Sequence, residues 1–291
     1  MNGVLIIDKP SGLTSHDVVH RVRRIVGQRS VGHLGTLDPM ATGVLPIVLG
    51  NMTRLAQFYL KSEKNYEGVI RFGFATDTYD AEGEPAGEPH ELTHSLEQVQ
   101  EMTARFKGVI EQTPPPFSAK KIQGVPAYKL ARKKKDVQLK PVQVEVKEFE
   151  IFSLEDCRAS FRARVGSGTY VRSIAHELGQ FAGCGAHLQS LRRTSVAEFT
   201  AEDSHTLQEL ESAMQQGGLE SVLIHARKLL PGIPGVTATD EAVARIRHGQ
   251  AVNLPEFSRA REVKVFFGQS ELVAIATRVA GTLFHPRIVL A

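Results

Sequence analysis

With 291 residues, 42% of them hydrophobic and 23% charged, the chain is long enough for one large domain plus a small one and too apolar for wholesale disorder. No apolar run approaches the ~18 to 20 residues of a membrane span. The start MNGVLIIDKP lacks the basic segment, long apolar stretch and cleavage site of a signal peptide, so a cytoplasmic location is expected. The net charge of +3 is unevenly spread: Lys120, Lys121, Lys129, Arg132, Lys133, Lys134, Lys135 and Lys140 face Asp136 alone within residues 113–141, a lobe suited to gripping a polyanion.

In chain order, Val18, Val19, Val22, Ile25 and Val26 recur at helical spacing, which predicts a helix over Ser15–Val26 with Ser15 as its cap, Asp17 in its first turn and Gly27 as its stop. Arg21, Arg23 and Arg24 fall in its last turns, where cations complement the helix dipole. Leu45–Leu49 is a short apolar run, Tyr66–Phe74 alternates like a strand, and Leu96, Val99, Met102 and Phe106 mark a helix ending at Gly108. From Thr113 the texture changes: prolines at 114, 115, 116, 126 and 141 bracket the basic stretch, which should leave the core as a loop or hairpin-like excursion. Strand patterns return at Val142–Phe149 and Phe161–Val165, followed by a helix through Val171, Ile174, Ala175, Leu178 and Phe181. Strands and helices without a regular βαβ repeat favour an α+β fold. Pro231–Gly235 reads as a linker, and beyond it a short helix at Asp240–His248 and three β patterns within sixty residues suggest a small barrel. Cys157 and Cys184 have neither CxxC spacing nor a second pair, so reduced thiols, no metal and no cofactor are expected.

The run Gly32–Pro46, GHLGTLDPMATGVLP, sets one carboxylate, Asp38, between turns that glycine permits and a stiff proline, Pro39. Pro39 fixes its own φ and pushes Asp38 out of the α region, so the backbone aims an acid. Read whole, the run resembles the active-site motif of the TruB family of tRNA pseudouridine synthases, whose matching aspartate is catalytic. The resemblance covers almost the whole chain in order. It implies a pseudouridine synthase fold, a mixed and mainly antiparallel sheet flanked by helices over residues 1–230, with an RNA-gripping insertion at about 113–141. It further implies a C-terminal PUA domain, a small RNA-binding barrel, over 236–291.

By the same resemblance, Tyr66 in KNYEG stacks on the target uracil and Arg172 in GTYVR pairs with the aspartate. A guanidinium can hold a buried carboxylate ionised through paired hydrogen bonds. Tyr170 in the same motif, His33, Lys9 of the KPSG turn, Leu191 and Asp80 of the DTYDAEG segment match positions near the substrate. Lys120, Lys121, Arg132, Lys133 and Lys134 of the excursion, with Arg192 and Arg193, are expected RNA contacts. The implied reaction is isomerisation of the uridine at position 55 in the TΨC loop of tRNA, with the target base flipped out, by a stand-alone, monomeric enzyme needing no protein partner and no membrane. The rival readings are a non-catalytic RNA-binding or tRNA-folding chaperone and a nucleoside hydrolase built on Asp38. A hydrolase would release free uracil, whereas isomerisation leaves the RNA mass unchanged.

Overall fold

Period-two apolar patterns set the strand pairing. In the computed structural model, which describes residues 1–291 apart from 119, 134–136, 138 and 291, ten strands join one large sheet. They are β1 (Gly3–Lys9), β2 (Val31–His33), β3 (Thr42–Leu49), β4 (Lys64–Phe72), β5 (Gly108–Gln112), β6 (Val142–Glu155), β7 (Arg158–Val165), β8 (Ala186–Val196), β9 (Phe199–Thr200) and β10 (Ser204–His205). Their order is β10, β1, β3, β8, β4, β7, β6, β5, with β2 added to β3 and β9 to β8. Only β1 with β10 and β3 with β8 run parallel, so the sheet is mixed and mainly antiparallel, as expected.

The main helices before the C-terminal segment are α1 (Ser15–Ile25), α2 (Leu96–Thr103), α3 (Val171–Phe181) and α4 (Leu207–Gln215). Thr14 caps α1, not Ser15: its side chain accepts from Asp17 N while Asp17 Oδ2 accepts from Thr14 N at 2.9 Å, a reciprocal box. Ser15 is buried, and its hydroxyl is used elsewhere, on Leu37. Leu5 and Ile7 of β1, with Leu45, Ile47 and Leu49 of β3, face the helices in the largest core cluster. Their neighbours Val4, Ile6, Val44 and Val48 point the other way and are equally buried.

That second face is buried by Met52, Leu55, Tyr59 and Phe199 together with the C-terminal module. Five strands, β11 (Gly235–Ala238), β12 (Val252–Asn253), β13 (Glu262–Phe267), β14 (Glu271–Ala280) and β15 (Leu283–Val289), form a sheet in the order β11, β13, β14, β15, β12, with helix α5 (Asp240–Arg247) against it. This matches the small barrel expected from the sequence. Phe266, Leu272, Ile275, Ile288 and Leu290 pack in one cluster with Val4, Ile6, Val44 and Val48. The Pro/Gly segment before it is therefore a tight join between two bodies that share a core. Leu230, at φ +52°, gives its N–H to Glu198 Oε1 at 2.8 Å, and the same oxygen accepts from the Tyr59 hydroxyl at 2.6 Å.

The basic excursion leaves the sheet between β5 and β6, as its prolines predict. Its described part folds into a short ladder, Lys121–Ile122 with Val125–Pro126, and one helical turn and a half at Ala127–Ala131.

Candidate active site

The segment between β2 and β3 has no regular structure, yet from Gly35 to Met40 each carbonyl oxygen has a donor. Arg193 Nη2 reaches Gly35 O at 3.0 Å and Nη1 reaches Thr36 O at 3.1 Å. Ser15 Oγ donates to Leu37 O at 3.1 Å and accepts from Leu37 N at 2.8 Å. Ala41 N serves Asp38 O, Gly12 N and Lys9 Nζ serve Pro39 O, and Ser11 Oγ serves Met40 O. A buried loop needs such satisfaction, because an orphaned carbonyl costs about as much as a lost hydrogen bond. Gly43, at φ +99°, lets β3 close on β8: a Cβ there would collide with the Arg193 backbone.

This frame fixes Asp38. Arg172, from the first turn of α3, lies side-on to it: Nη2 donates to Oδ1 at 3.0 Å and Nε sits 2.9 Å from Oδ2. The same guanidinium donates through Nη1 to Thr78 O and Asp80 Oδ2, both at 3.1 Å, and through Nη2 to Phe117 O at 3.0 Å. Arg172 is only 6% exposed and Asp80 4%, whereas the Asp38 side chain is 33% exposed. One carboxylate thus neutralises the buried cation, and the other is presented to solvent. Burial pushes the Asp38 carboxyl above the usual range, with Arg172 pulling against it and Asp80 adding to the rise.

Asp38 opens into a cavity of about 460 Å³ whose walls include Tyr66, Leu191, Tyr170, Lys64 and Phe117. That is large enough for a nucleoside. Tyr66 is placed by β4, paired with Ala163 on one side and Arg193 on the other. Tyr170 caps α3 without a side-chain bond, and burial raises its phenol pKa. Lys64 was not anticipated; it stands two residues before Tyr66 and so on the same strand face, a spacing that could have revealed it. Burial brings its pKa down to about 8, helped by Arg193.

Several expected contacts lie elsewhere. Lys9 is wholly buried and gives its ammonium to Pro10 O and Pro39 O at 2.9 and 3.1 Å, which braces the loop behind Asp38. Burial lowers its pKa to about 8 despite the pull of Asp38. Asp80 is buried on Arg172 and the Thr78 hydroxyl, away from the cavity wall. Arg193 is also fully buried, its guanidinium taken up by Gly35, Thr36 and Val44 carbonyls, so it faces no phosphate. His33 sits on β2, where its Nδ1 accepts from Gly35 N at 3.3 Å, and burial keeps the ring neutral. Arg192 points the opposite way from Arg193, half-exposed and paired with Asp8 at 3.0 and 2.9 Å. Lys120, Lys121, Arg132 and Lys133 are exposed on the excursion, and Lys134 lies outside the described residues.

The fold that carries this site has solved counterparts. A solved chain from an H/ACA ribonucleoprotein bound to a substrate RNA containing 2′-deoxyuridine superposes with a TM-score of 0.71 at 26% identity, over 99% of this chain and 85% of that one. A family model described as TruB family pseudouridylate synthase (N terminal domain) matches residues 23–171, and one described as tRNA pseudouridylate synthase B C-terminal domain matches residues 172–231. The fold is that of a pseudouridine synthase, an isomerase, with a C-terminal sheet consistent with a PUA-like domain. Curated relatives place it more narrowly. The chain is 47% identical to the tRNA pseudouridine synthase B of Solibacter usitatus (strain Ellin6076) and 38% identical to that of Aquifex aeolicus (strain VF5), with 100% of both chains covered each time. It belongs to the TruB family of pseudouridylate synthases.

Proposed function

We propose that the protein isomerises the uridine at position 55 in the TΨC loop of tRNA, with Asp38 as the reacting carboxylate. The observation that carries this reading is the side-on Asp38–Arg172 pair, with one exposed carboxylate edge at the end of the cavity. The reaction breaks the N1–C1′ bond, turns the base and joins C5 to C1′; the C5 proton is lost and N1 gains one. It needs no redox partner and no group carrier. What it requires is a positioned carboxylate at the ribose, acting as nucleophile or base, and a surface that retains the freed base.

Tyr66 supplies that surface by stacking, and Leu191 closes the other wall. Extracting a base from a folded loop costs a few kcal/mol, of which stacking on Tyr66 returns ~1 to 3 kcal/mol. Arg172 keeps Asp38 ionised and oriented, and Tyr170 and Lys64 line the entrance. On this reading residues 1–230 are the catalytic domain, 236–291 grip RNA, and the excursion, whose root at Phe117 is bonded to Arg172, holds the stem-loop with Lys120, Lys121, Arg132 and Lys133. The tRNA substrate is supported by the names of the full-length relatives. The enzyme acts alone as a cytoplasmic monomer, which gel filtration of the purified protein checks.

The deciding experiment pairs filter binding of unmodified tRNA transcript with single-turnover pseudouridine formation for Asp38→Asn. The amide keeps the shape and removes the reacting group, so near-normal binding with no product is expected. Turnover by the Asn protein, after mass spectrometry excludes deamidation back to Asp, would falsify the assignment.

A further inference from the structure

The grip of Arg172 on Asp38 depends on a turn in an unfavourable conformation. Thr78 O and Asp80 Oδ2 both accept from Arg172 Nη1, and between these two acceptors stands Tyr79 at φ +66°. A bulky aromatic residue rarely occupies the left-handed region, so contacts outside the turn must hold it there. Within the turn Tyr79 N meets Thr76 O at a long 3.3 Å, while Tyr79 O is caught from β8 by Leu188 N at 3.0 Å. Asp80 is tied further on, its O accepting from the Thr76 hydroxyl at 2.7 Å and Ala81 N reaching Leu188 O at 3.0 Å, but Tyr79 itself has one more restraint, its ring. Its phenol lies flat on the His176 imidazole, with centroids 3.7 Å apart and planes 10° from parallel. His176 is one helical turn beyond Arg172 on α3, so the helix touches this turn twice, through the guanidinium and through the imidazole.

We propose that the stack of Tyr79 on His176 is a positioning device for the reacting pair: it clamps the Thr78–Asp80 turn to α3, so that Arg172 presents a fixed Nε–Nη2 edge to Asp38. This rests on the assignment of Asp38 and Arg172 as that pair. Neither ring lines the Asp38 cavity, so the effect passes through the arginine. Gln180 meets His176 Nε2 at 3.1 Å and restrains the imidazole at its edge. Burial lowers the His176 pKa and keeps the ring neutral against the phenol. Without the stack, Tyr79 relaxes toward ordinary backbone angles, Thr78 O and Asp80 draw back, and Arg172 is free to leave Asp38. The titratable and charged groups facing Asp38 are Arg172 from α3, Tyr170 at the start of that helix, Asp80 and Glu82 from the turn, and Lys9 from β1, with Arg172 the strongest of them. Loosening the arginine therefore makes the carboxylate easier to protonate.

The test measures single-turnover rates across pH, with tRNA affinity alongside, for Tyr79→Ala, Tyr79→Phe, His176→Ala and His176→Phe, using Asp38→Asn as reference. Alanine keeps the unfavourable φ +66° and removes only the ring that holds it, so Tyr79→Ala leaves the turn free to relax. A misplaced reacting group typically costs on the order of 100-fold, and a fall of that size is expected for Tyr79→Ala and His176→Ala. Their tRNA affinity should be unchanged and the acid limb of the rate should move to higher pH. The two Phe variants keep a stacked ring and should keep the wild-type rate and profile. A wild-type rate and pH profile in Tyr79→Ala or His176→Ala, or equal losses in the Phe variants, overturns the proposed clamp while Asp38→Asn stays inactive. Turnover by Asp38→Asn overturns the underlying assignment instead.

Discussion

Two adjacent arginines on β8 have opposite roles, and one backbone fact explains it: successive side chains of a strand point to opposite faces. Arg192 meets Asp8 in partial solvent, while Arg193 is sealed beneath the Asp38 loop on three carbonyls. The sequence shows the pair and not which member is buried, since both types suit phosphate equally. Replacing Arg193 by Ala orphans acceptors at Gly35, Thr36 and Val44, each worth ~1 to 3 kcal/mol when left buried and unpaired, so a stability loss of about 3 kcal/mol or more is expected. A urea midpoint lowered at constant slope, with a slower single turnover, checks it, and Arg193→Lys should recover little because an ammonium lacks the planar fork. For Asp38 the expectation concerns pH. The chemistry proposed for it requires the carboxylate, and burial raises its pKa. The single-turnover rate should therefore fall on acidification around a midpoint above ~4, the value of a free aspartate. A rate that holds level down to the ordinary aspartate range would show that Arg172 outweighs burial. Arg172→Lys should lose most of the rate and Arg172→Ala nearly all, the latter costing ~3 to 5 kcal/mol because it breaks a buried pair.

Elements were more legible than residues because an apolar period survives averaging over many side chains. Helices α1, α3 and α5 and strands β6, β7, β13, β14 and β15 fall where spacing places them, with ends that differ by a few residues. The exceptions are local: Thr14 and Ser15 are equally good caps by type, and only the distant Leu37 decides between them. Of the site, the aspartate loop, Tyr66 and Arg172 were readable as a motif. Thr78 O and Phe117 O, the backbone partners of Arg172, carry no side-chain signature at all. The described lysines and arginines of the excursion are exposed, as a lobe meeting solvent or a polyanion requires. Changing Lys120, Lys121, Arg132 and Lys133 to Gln should weaken tRNA binding and flatten its salt dependence, each lost phosphate contact removing ~0.7 from the log–log slope. The rate at saturating enzyme should change little. An unaltered slope would assign the lobe to solubility alone.

At the scale of the molecule, the Pro/Gly segment at 231–235 suggests two independent bodies, and the packing shows otherwise. Lys264 Nζ binds Leu229 O at 2.6 Å, Asn2 and Asn51 each reach Leu290 O at 3.1 Å, and Arg54 reaches Val289 O at 2.7 Å. A chain ended near Leu230 would bare Val4, Ile6, Val44 and Val48 to water, and an exposed patch of that kind drives aggregation. Such a truncation should be poorly soluble or melt well below the full chain, even though Asp38, Tyr66 and Arg172 all precede the cut. A soluble fragment with an unchanged melting temperature would show that the module is dispensable to the fold. The run Val4–Ile7 has no visible alternation, which marks a strand covered on both faces without saying what covers it. The shared cluster also imposes an order in time. On a ribosome Val4 and Ile6 emerge first, and Phe266, Ile288 and Leu290, which cover them, emerge last; at about 5 to 20 residues per second that interval is roughly 15 to 60 s. For that long part of the strand's second apolar face has only the earlier members of the cluster, Met52, Leu55, Tyr59 and Phe199, to keep it from a wrong partner.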